Sequence, residues 1–110
     1  MNQLQKEEYM QRAIELAKKG IHSCKPNPRV GCVIVKNDVV IGEGWHKKTG
    51  GDHAEIMALK NCEENPGGSS VFVSLEPCTH KGRTPPCIDA LINANVSSVL
   101  FSSMDPNPQV

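Results

Sequence analysis

Hydrophobic residues along the chain follow two kinds of spacing, one typical of helices and the other of buried strands. Apolar residues three or four positions apart predict a helix over residues 4–19, ended by Gly20. Short runs rich in Val and Ile predict strands instead. Two such runs, over residues 30–36 and 39–45, are separated by a two-residue Asn-Asp turn and predict a β-hairpin.

The second half of the chain alternates between the two patterns. It predicts a helix over residues 53–62 capped by Asp52, a strand over 70–75, a helix over 85–94 opened by two prolines, and a strand over 98–102. The element order is therefore αββαβαβ. Strands that alternate with helices favour parallel crossover connections and a layered α/β fold around the sheet.

The length of 110 residues fits one domain, residues 1–110. The last predicted strand lies close to the C-terminus, and nothing after it covers that edge of the sheet. We therefore expect a domain that is truncated at its C-terminus. An uncovered edge strand also favours self-association into a homo-oligomer.

Charge and cysteine content narrow the function classes. Lys plus Arg and Asp plus Glu number 12 each, so the formal net charge is zero, which argues against a nucleic-acid partner but not against a small anionic ligand. The chain has neither an apolar run of about 18 residues nor a signal peptide, so we expect no membrane partner and a cytoplasmic location. The odd count of five cysteines argues against a disulfide framework, and Cys32 and Cys62 fit apolar core positions.

Residues with metal and proton chemistry occur in three short motifs: His53-Ala-Glu55, Glu76-Pro-Cys78 and Pro86-Cys87. Zinc takes imidazole and thiolate ligands in a tetrahedral arrangement, and three protein ligands leave one position open to water, as catalysis requires. His53, Cys78 and Cys87 are the candidate ligands. Glu55, two residues from His53, points in another direction on a helix and is the candidate proton shuttle.

The three motifs together resemble the H-x-E…P-C-x-x-C signature of zinc-dependent deaminases. One departure is that eight residues, not two, separate Cys78 from Cys87. This longer loop closely resembles the deaminase domain of the bifunctional riboflavin-biosynthesis deaminase/reductase. The runs over residues 25–31 and 104–108 resemble that family as well.

The resemblance implies a three-layer α/β/α cytidine-deaminase-like fold with a mixed sheet, a Zn²⁺ cofactor, and no reductase domain in this chain. It implies hydrolytic deamination of 2,5-diamino-6-ribosylamino-4(3H)-pyrimidinone 5′-phosphate to 5-amino-6-ribosylaminouracil 5′-phosphate and ammonia. Six positions match residues that line the substrate pocket in the family: Asn27, His46, His80, Arg83, Asp105 and Asn107. The amides suit the ring edge, and Arg83 suits the phosphate.

Two alternatives remain open on the sequence. One is a folded but inactive zinc-binding fragment of the same enzyme. The other is a deaminase of cytidine or tRNA, which the neutral charge and the long cysteine spacing disfavour. Asn27 and Asn107 are each flanked by prolines, so turn formation explains either of them as well as substrate binding does.

Overall fold

The computed structural model describes residues 1–19, 29–45, 53–76 and 88–103. Within these residues, helices and strands follow the predicted order αββαβαβ. Their bounds are α1 Gln3–Lys18, β1 Arg29–Lys36, β2 Val39–Trp45, α2 Ala54–Lys60, β3 Ser70–Glu76, α3 Ile88–Asn93 and β4 Ser98–Ser103.

The four strands form one mixed sheet in the order β2-β1-β3-β4. β1 pairs antiparallel with β2, which confirms the predicted hairpin, and antiparallel with β3 on its other side. β3 and β4 pair in parallel, as expected for two strands joined through a helix. β1 and β3 are the inner strands of this sheet, and β2 and β4 are its edges.

Helices cover both faces of the sheet, so the predicted three-layer arrangement is confirmed. On one face, α1 packs on Val33, Val35 and Phe72 through its buried residues Ala13 and Leu16. The opposite face carries α2 and α3, whose buried side chains join those of the strands in a second cluster. That cluster consists of Cys32, Ile34, Ile41, Ala54, Ala58, Val71, Val73 and Leu91. The prediction that Cys32 is a core residue is confirmed, and Cys62 packs against the same cluster while partly buried.

α1 lies close to the sheet because β1 has a glycine beneath it. A Cβ atom on Gly31 would overlap the carbonyl oxygen of Ala13, so the two backbones are in direct contact. At its start, α1 has a reciprocal cap. The Asn2 side chain accepts from the Gln5 amide at 2.8 Å, and the Gln5 side chain accepts from the Asn2 amide at 2.9 Å. Across the described part of the chain, no helix is both long enough and apolar enough to cross a membrane.

The start of α2 differs from the sequence prediction. His53, not Asp52, occupies the N-cap position, with extended backbone angles of φ −71° and ψ 163°. The carbonyl of His53 accepts the first helical hydrogen bond from Met57 at 3.0 Å, so the helix begins one residue later than predicted. Its last helical residue is Lys60, two residues before the predicted end. Asp52 lies outside the described residues.

The turn of the β1–β2 hairpin places both of its central residues at positive φ. Asn37 has φ 53° and Asp38 has φ 62°, the combination that a type I′ turn requires. Glycine adopts this region without strain, and Asn-Gly is the preferred pair. The Tyr9 hydroxyl donates to the Asp38 carbonyl at 2.9 Å, a bond that does not depend on the side chain at position 38.

We therefore expect Asp38→Gly to stabilise the protein by about 0.5–1 kcal/mol and to raise Tm by about 2–6 °C. Thermal unfolding followed by circular dichroism measures this directly. Asp38→Ala is the matched control and should lower Tm, because alanine has neither the freedom of glycine nor the local hydrogen bonds of aspartate. Equal Tm values for the two variants would contradict the assignment of turn strain to position 38.

Candidate active site

Three of the described strands end at the same end of the sheet. β2 ends at Trp45, β3 ends at Glu76 and β4 ends at Ser103. The pairing of β1 with β2 and β3, and of β3 with β4, places these three ends beside one another, together with the beginning of β1. We call this the carboxyl end of the sheet. In α/β sheets, ligands bind outside the carboxyl ends of the strands.

One end of each helix also lies at the carboxyl end of the sheet. α1 finishes at the carboxyl end, where the ammonium of Lys19 lies 5.2 Å from the centre of the Trp45 ring. α2 begins there, because the backbone of Ala54 packs directly over Gly44. The far end of α3 is hydrogen-bonded to the turn before β3, so α3 runs from the carboxyl end towards the opposite end.

Four segments lie outside the described residues: 20–28, 46–52, 77–87 and 104–110. Each of them is joined to a described element at the carboxyl end of the sheet. Eight of the ten site residues predicted from the sequence fall in these segments, namely Asn27, His46, Cys78, His80, Arg83, Cys87, Asp105 and Asn107. Their roles stay predictions. His53 and Glu55 are the two that the structure describes.

His53 sits at the junction between the segment 46–52 and the first turn of α2. It is half-buried, and its backbone, rather than its imidazole, makes the bond that starts the helix. The ring is therefore not used as the helix cap. An imidazole at this position, at the carboxyl end of the sheet, is suitably placed to act as a metal ligand.

Glu55 lies in the first turn of α2, and its exposed fraction is only 1%. A carboxylate is favoured electrostatically near a helix N-terminus, which offsets part of the cost of burying it. It shares the buried face of α2 with Ala54 and Ala58, so it faces the sheet rather than solvent. An acidic side chain at the end of a sheet where ligands bind is within reach of a bound substrate and is therefore a candidate for proton transfer.

Cys32, on the inner strand β1, lies close enough to Glu55 for the two side chains to interact electrostatically. Burial raises the pKa of the Cys32 thiol well above its ordinary value of 9.0, and electrostatic interaction with Glu55 and Cys62 raises it further. The thiol is fully buried, and these causes keep it protonated and neutral. Cys32 therefore adds no second negative charge beside the Glu55 carboxylate.

The metal donors have to come from more than one segment. Among the residues that the structure describes, no three His, Cys, Asp or Glu side chains come together in a group that would hold a metal ion. The predicted set takes His53 from the described part, and Cys78 and Cys87 from the segment between β3 and α3. One imidazole and two thiolates are donors that zinc prefers, and together they leave one of four positions open. The donor set thus fits a catalytic zinc ion.

Comparison with known proteins identifies the family. A family described as the cytidine and deoxycytidylate deaminase zinc-binding region matches residues 3–103. The chain belongs to this deaminase family. Similar proteins confirm that the chain resembles the riboflavin-biosynthesis deaminases. They also confirm its cytidine-deaminase-like fold and its assignment as a hydrolytic deaminase.

A diaminohydroxyphosphoribosylamino-pyrimidine deaminase from Buchnera aphidicola subsp. Schizaphis graminum is 55% identical over 102 residues, covering 93% of this deaminase chain and 69% of the relative. Riboflavin biosynthesis protein RibD of Escherichia coli is 53% identical over 107 residues, covering 97% of the chain and 29% of RibD. A solved structure of Acinetobacter baumannii RibD matches with a TM-score of 0.77 and 55% identity, over 97% of this chain and 30% of that one. The chain thus spans under a third of the RibD proteins.

The structure adds two residues to the site region of this deaminase that sequence patterns did not assign to it. The sequence pattern assigns Cys32 to the core, and only the fold shows that it lies near Glu55. The sequence pattern assigns Gly44 to a strand, and only the fold shows that the start of α2 packs on it. The one sequence signal at Gly44 is a glycine in a strand interior, which often marks a close backbone approach.

The raised pKa of Cys32 gives a pH dependence of stability with a definite sign. The native chain keeps this proton at pH values where the unfolded chain loses it, so unfolding releases a proton and stability falls as pH rises above about 9. The slope from one such group is at most about 1.4 kcal/mol per pH unit. Urea unfolding at pH 7 to 10 should therefore show a smaller loss of stability in Cys32→Ala than in the parent protein.

Cys62 provides the matched control, because burial raises its pKa as well but it is only partly buried. Cys62→Ala should change the slope above pH 9 less than Cys32→Ala does. If the parent protein and Cys32→Ala lose stability equally between pH 9 and 10, the thiol of Cys32 is not held protonated by the fold.

Proposed function

We propose that this chain catalyses the hydrolytic deamination of 2,5-diamino-6-ribosylamino-4(3H)-pyrimidinone 5′-phosphate in riboflavin biosynthesis. Water replaces one amino group of the pyrimidine ring, and 5-amino-6-ribosylaminouracil 5′-phosphate and ammonia are the products. The observation that carries the proposal is the buried Glu55 carboxylate, two residues after His53 at the carboxyl end of the sheet. The named deaminase relative at 55% identity supports this particular substrate.

The proposed metal site uses His53, Cys78 and Cys87 to hold one zinc ion. When bound, zinc supplies Lewis-acid activation of water, lowering the pKa of that water to about 7. The family is described as a zinc-binding region, which supports the metal. The described part of the chain contributes His53, held at the start of α2 by the hydrogen bond from the Met57 amide to its carbonyl.

Glu55 moves protons in the proposed reaction. Its carboxylate accepts a proton from the attacking water and gives it to a ring nitrogen, while oxygen adds to the ring carbon that bears the amino group. It then takes the second proton of that water and gives it to the departing nitrogen, which leaves as ammonia while a carbonyl forms on the ring. Burial at the sheet excludes bulk water, so the proton stays with the reacting groups.

Substrate recognition is assigned to residues in the segments at the carboxyl end. Asn27 and Asn107 would pair with the amide-like edge of the ring, and Arg83 would bind the phosphate. His46, His80 and Asp105 complete the proposed pocket. The balance of 12 cationic and 12 anionic residues supports a small phosphorylated ligand rather than a nucleic acid, which requires a strongly positive surface.

We expect Glu55→Gln to lower kcat by about 10³-fold or more, because the amide cannot carry a proton. The change keeps the size of a side chain that is 1% exposed, so the packing of α2 is kept and Tm should fall by no more than a few degrees. Zinc content should stay at about one per chain. Ammonia release from the pyrimidinone phosphate, metal analysis and thermal unfolding measure the three quantities.

Glu63→Gln is the control, since Glu63 is exposed and lies beyond the other end of α2. It should keep the parent kcat. Parent protein that binds zinc but releases no ammonia from any pyrimidine would be an inactive zinc-binding protein. Release from cytidine or tRNA but not from the pyrimidinone phosphate would replace the proposed substrate.

We expect Cys87→Ser to lower the zinc content from about one ion per chain to less than a tenth, since one of three protein ligands is lost. Cys62→Ser is matched in chemistry, and Cys62 packs against the core cluster, so this variant should keep its zinc. Inductively coupled plasma mass spectrometry after dialysis gives both numbers. Full zinc content in Cys87→Ser would exclude this cysteine as a ligand.

A further inference from the structure

Two glycines on β2 let α2 approach the sheet at two separate points. A Cβ atom on Gly44 would lie 2.5 Å from the carbonyl oxygen of Ala54 and 2.5 Å from the amide nitrogen of Ala58. A Cβ atom on Gly42 would lie 2.5 Å from the carbonyl oxygen of Ala58. Gly44 is therefore under the first turn of α2, and Gly42 is under its last turn.

The two ends of α2 are held to β2 in different ways. Near the helix end, the Asn61 side chain donates to the Glu43 carbonyl at 2.9 Å, and the Glu63 amide donates to the Ile41 carbonyl at 3.0 Å. These two hydrogen bonds tie the end of the helix to the outer edge of the strand. Near the helix start, the backbone contact between Ala54 and Gly44 sets the distance between the helix and the strand.

β2 is not free to move away if Gly44 acquires a side chain. It is paired with β1 along its length, with Cys32 directly opposite Gly44. On the other face, the Arg12 guanidinium binds both carboxylate oxygens of Glu43, at 2.6 and 3.0 Å. A methyl group at position 44 would therefore displace the helix, and the displacement would have to exceed about 0.5 Å to bring the closest contacts out to 3.0 Å.

We propose that Gly44 is a positioning residue for the deaminase site, which sets the height of the first turn of α2 above β2 and so fixes His53 and Glu55. Ala54, whose carbonyl contacts Gly44, lies between these two residues in the chain. The proposal rests on the proposed function, because Gly44 acts only through His53 and Glu55. Catalytic groups have to be held within about 0.5 Å of their productive positions, which is the size of the displacement expected here.

Gly42→Ala is the matched control for Gly44→Ala. Both changes add one methyl group to β2, both meet the backbone of α2 at 2.5 Å, and both should lower Tm by several degrees. Gly44→Ala meets the first turn itself, at Ala54, whereas Gly42→Ala meets Ala58 and Cys62. The contacts at Gly42 therefore begin about 4.5 Å along the helix axis from Glu55, and Asn61 and Glu63 hold the helix end beside them.

The experiment compares the parent protein, Gly42→Ala and Gly44→Ala in zinc affinity by chelator competition, in kcat and KM for the pyrimidinone phosphate, and in Tm. We expect Gly44→Ala to lose about 100-fold in kcat and about 10-fold or more in zinc affinity, with KM within about 3-fold. Gly42→Ala should stay within about 3-fold of the parent in all three. Equal kcat and equal zinc affinity in the two variants would overturn the proposal.

Failure of the proposed function is distinguishable from failure of this inference. A parent protein that does not deaminate the pyrimidinone phosphate overturns the proposed function. The zinc affinities of the two variants still report whether His53 has moved, so they test the role of Gly44 separately. If Gly44→Ala does not fold, both variants are remade in the stabilised Asp38→Gly background, whose turn lies at the opposite end of the sheet. Failure to fold there as well would make Gly44 a residue needed for folding alone and would overturn the positioning role.

Discussion

Direct contact between helix backbone and strand backbone holds the three layers of this protein together. The chain has only four aromatic residues, so its core is built from smaller side chains, and the helices have to come close to the sheet to leave no voids. Alanines on the helices meet glycines on the strands at the points of closest approach, as Ala13 meets Gly31 and Ala54 meets Gly44. Each contact fixes the distance between one helix and the sheet, and with it the positions of the side chains on that helix.

This constraint explains how a small fold holds a polar site. Glu55 is almost fully buried, yet it lies at the start of a helix and at the end of the sheet, where chain segments enter and leave. The positive end of the helix dipole at this position offsets part of the cost of burying a carboxylate. The thiol of Cys32 is held neutral by its burial and by the nearby Glu55, so it adds no second negative charge beside that carboxylate.

Hydrophobic periodicity is enough to predict the order of elements, the hairpin and the layered arrangement, because each of these depends on which face of an element is apolar. The sequence places the start of α2 one residue too early, since Asp52 has a side chain suited to capping and His53 does not. Backbone angles decide the cap, and a residue type only favours them. The roles of Gly44 and Cys32 depend on contacts between residues far apart in the chain, which no local pattern contains.

The β2 edge of the sheet is partly blocked against pairing with another chain. At β2, the Asn61 side chain and the Glu63 amide already use the outward carbonyls of Glu43 and Ile41. A foreign strand would have to break both bonds to pair with these two carbonyls, and occupying the polar groups of an edge strand is one of the ways in which proteins prevent sheets from growing by edge pairing. The bonds that tie down the end of α2 therefore also protect this molecule against strand addition along β2, so that one short segment serves both helix placement and resistance to aggregation.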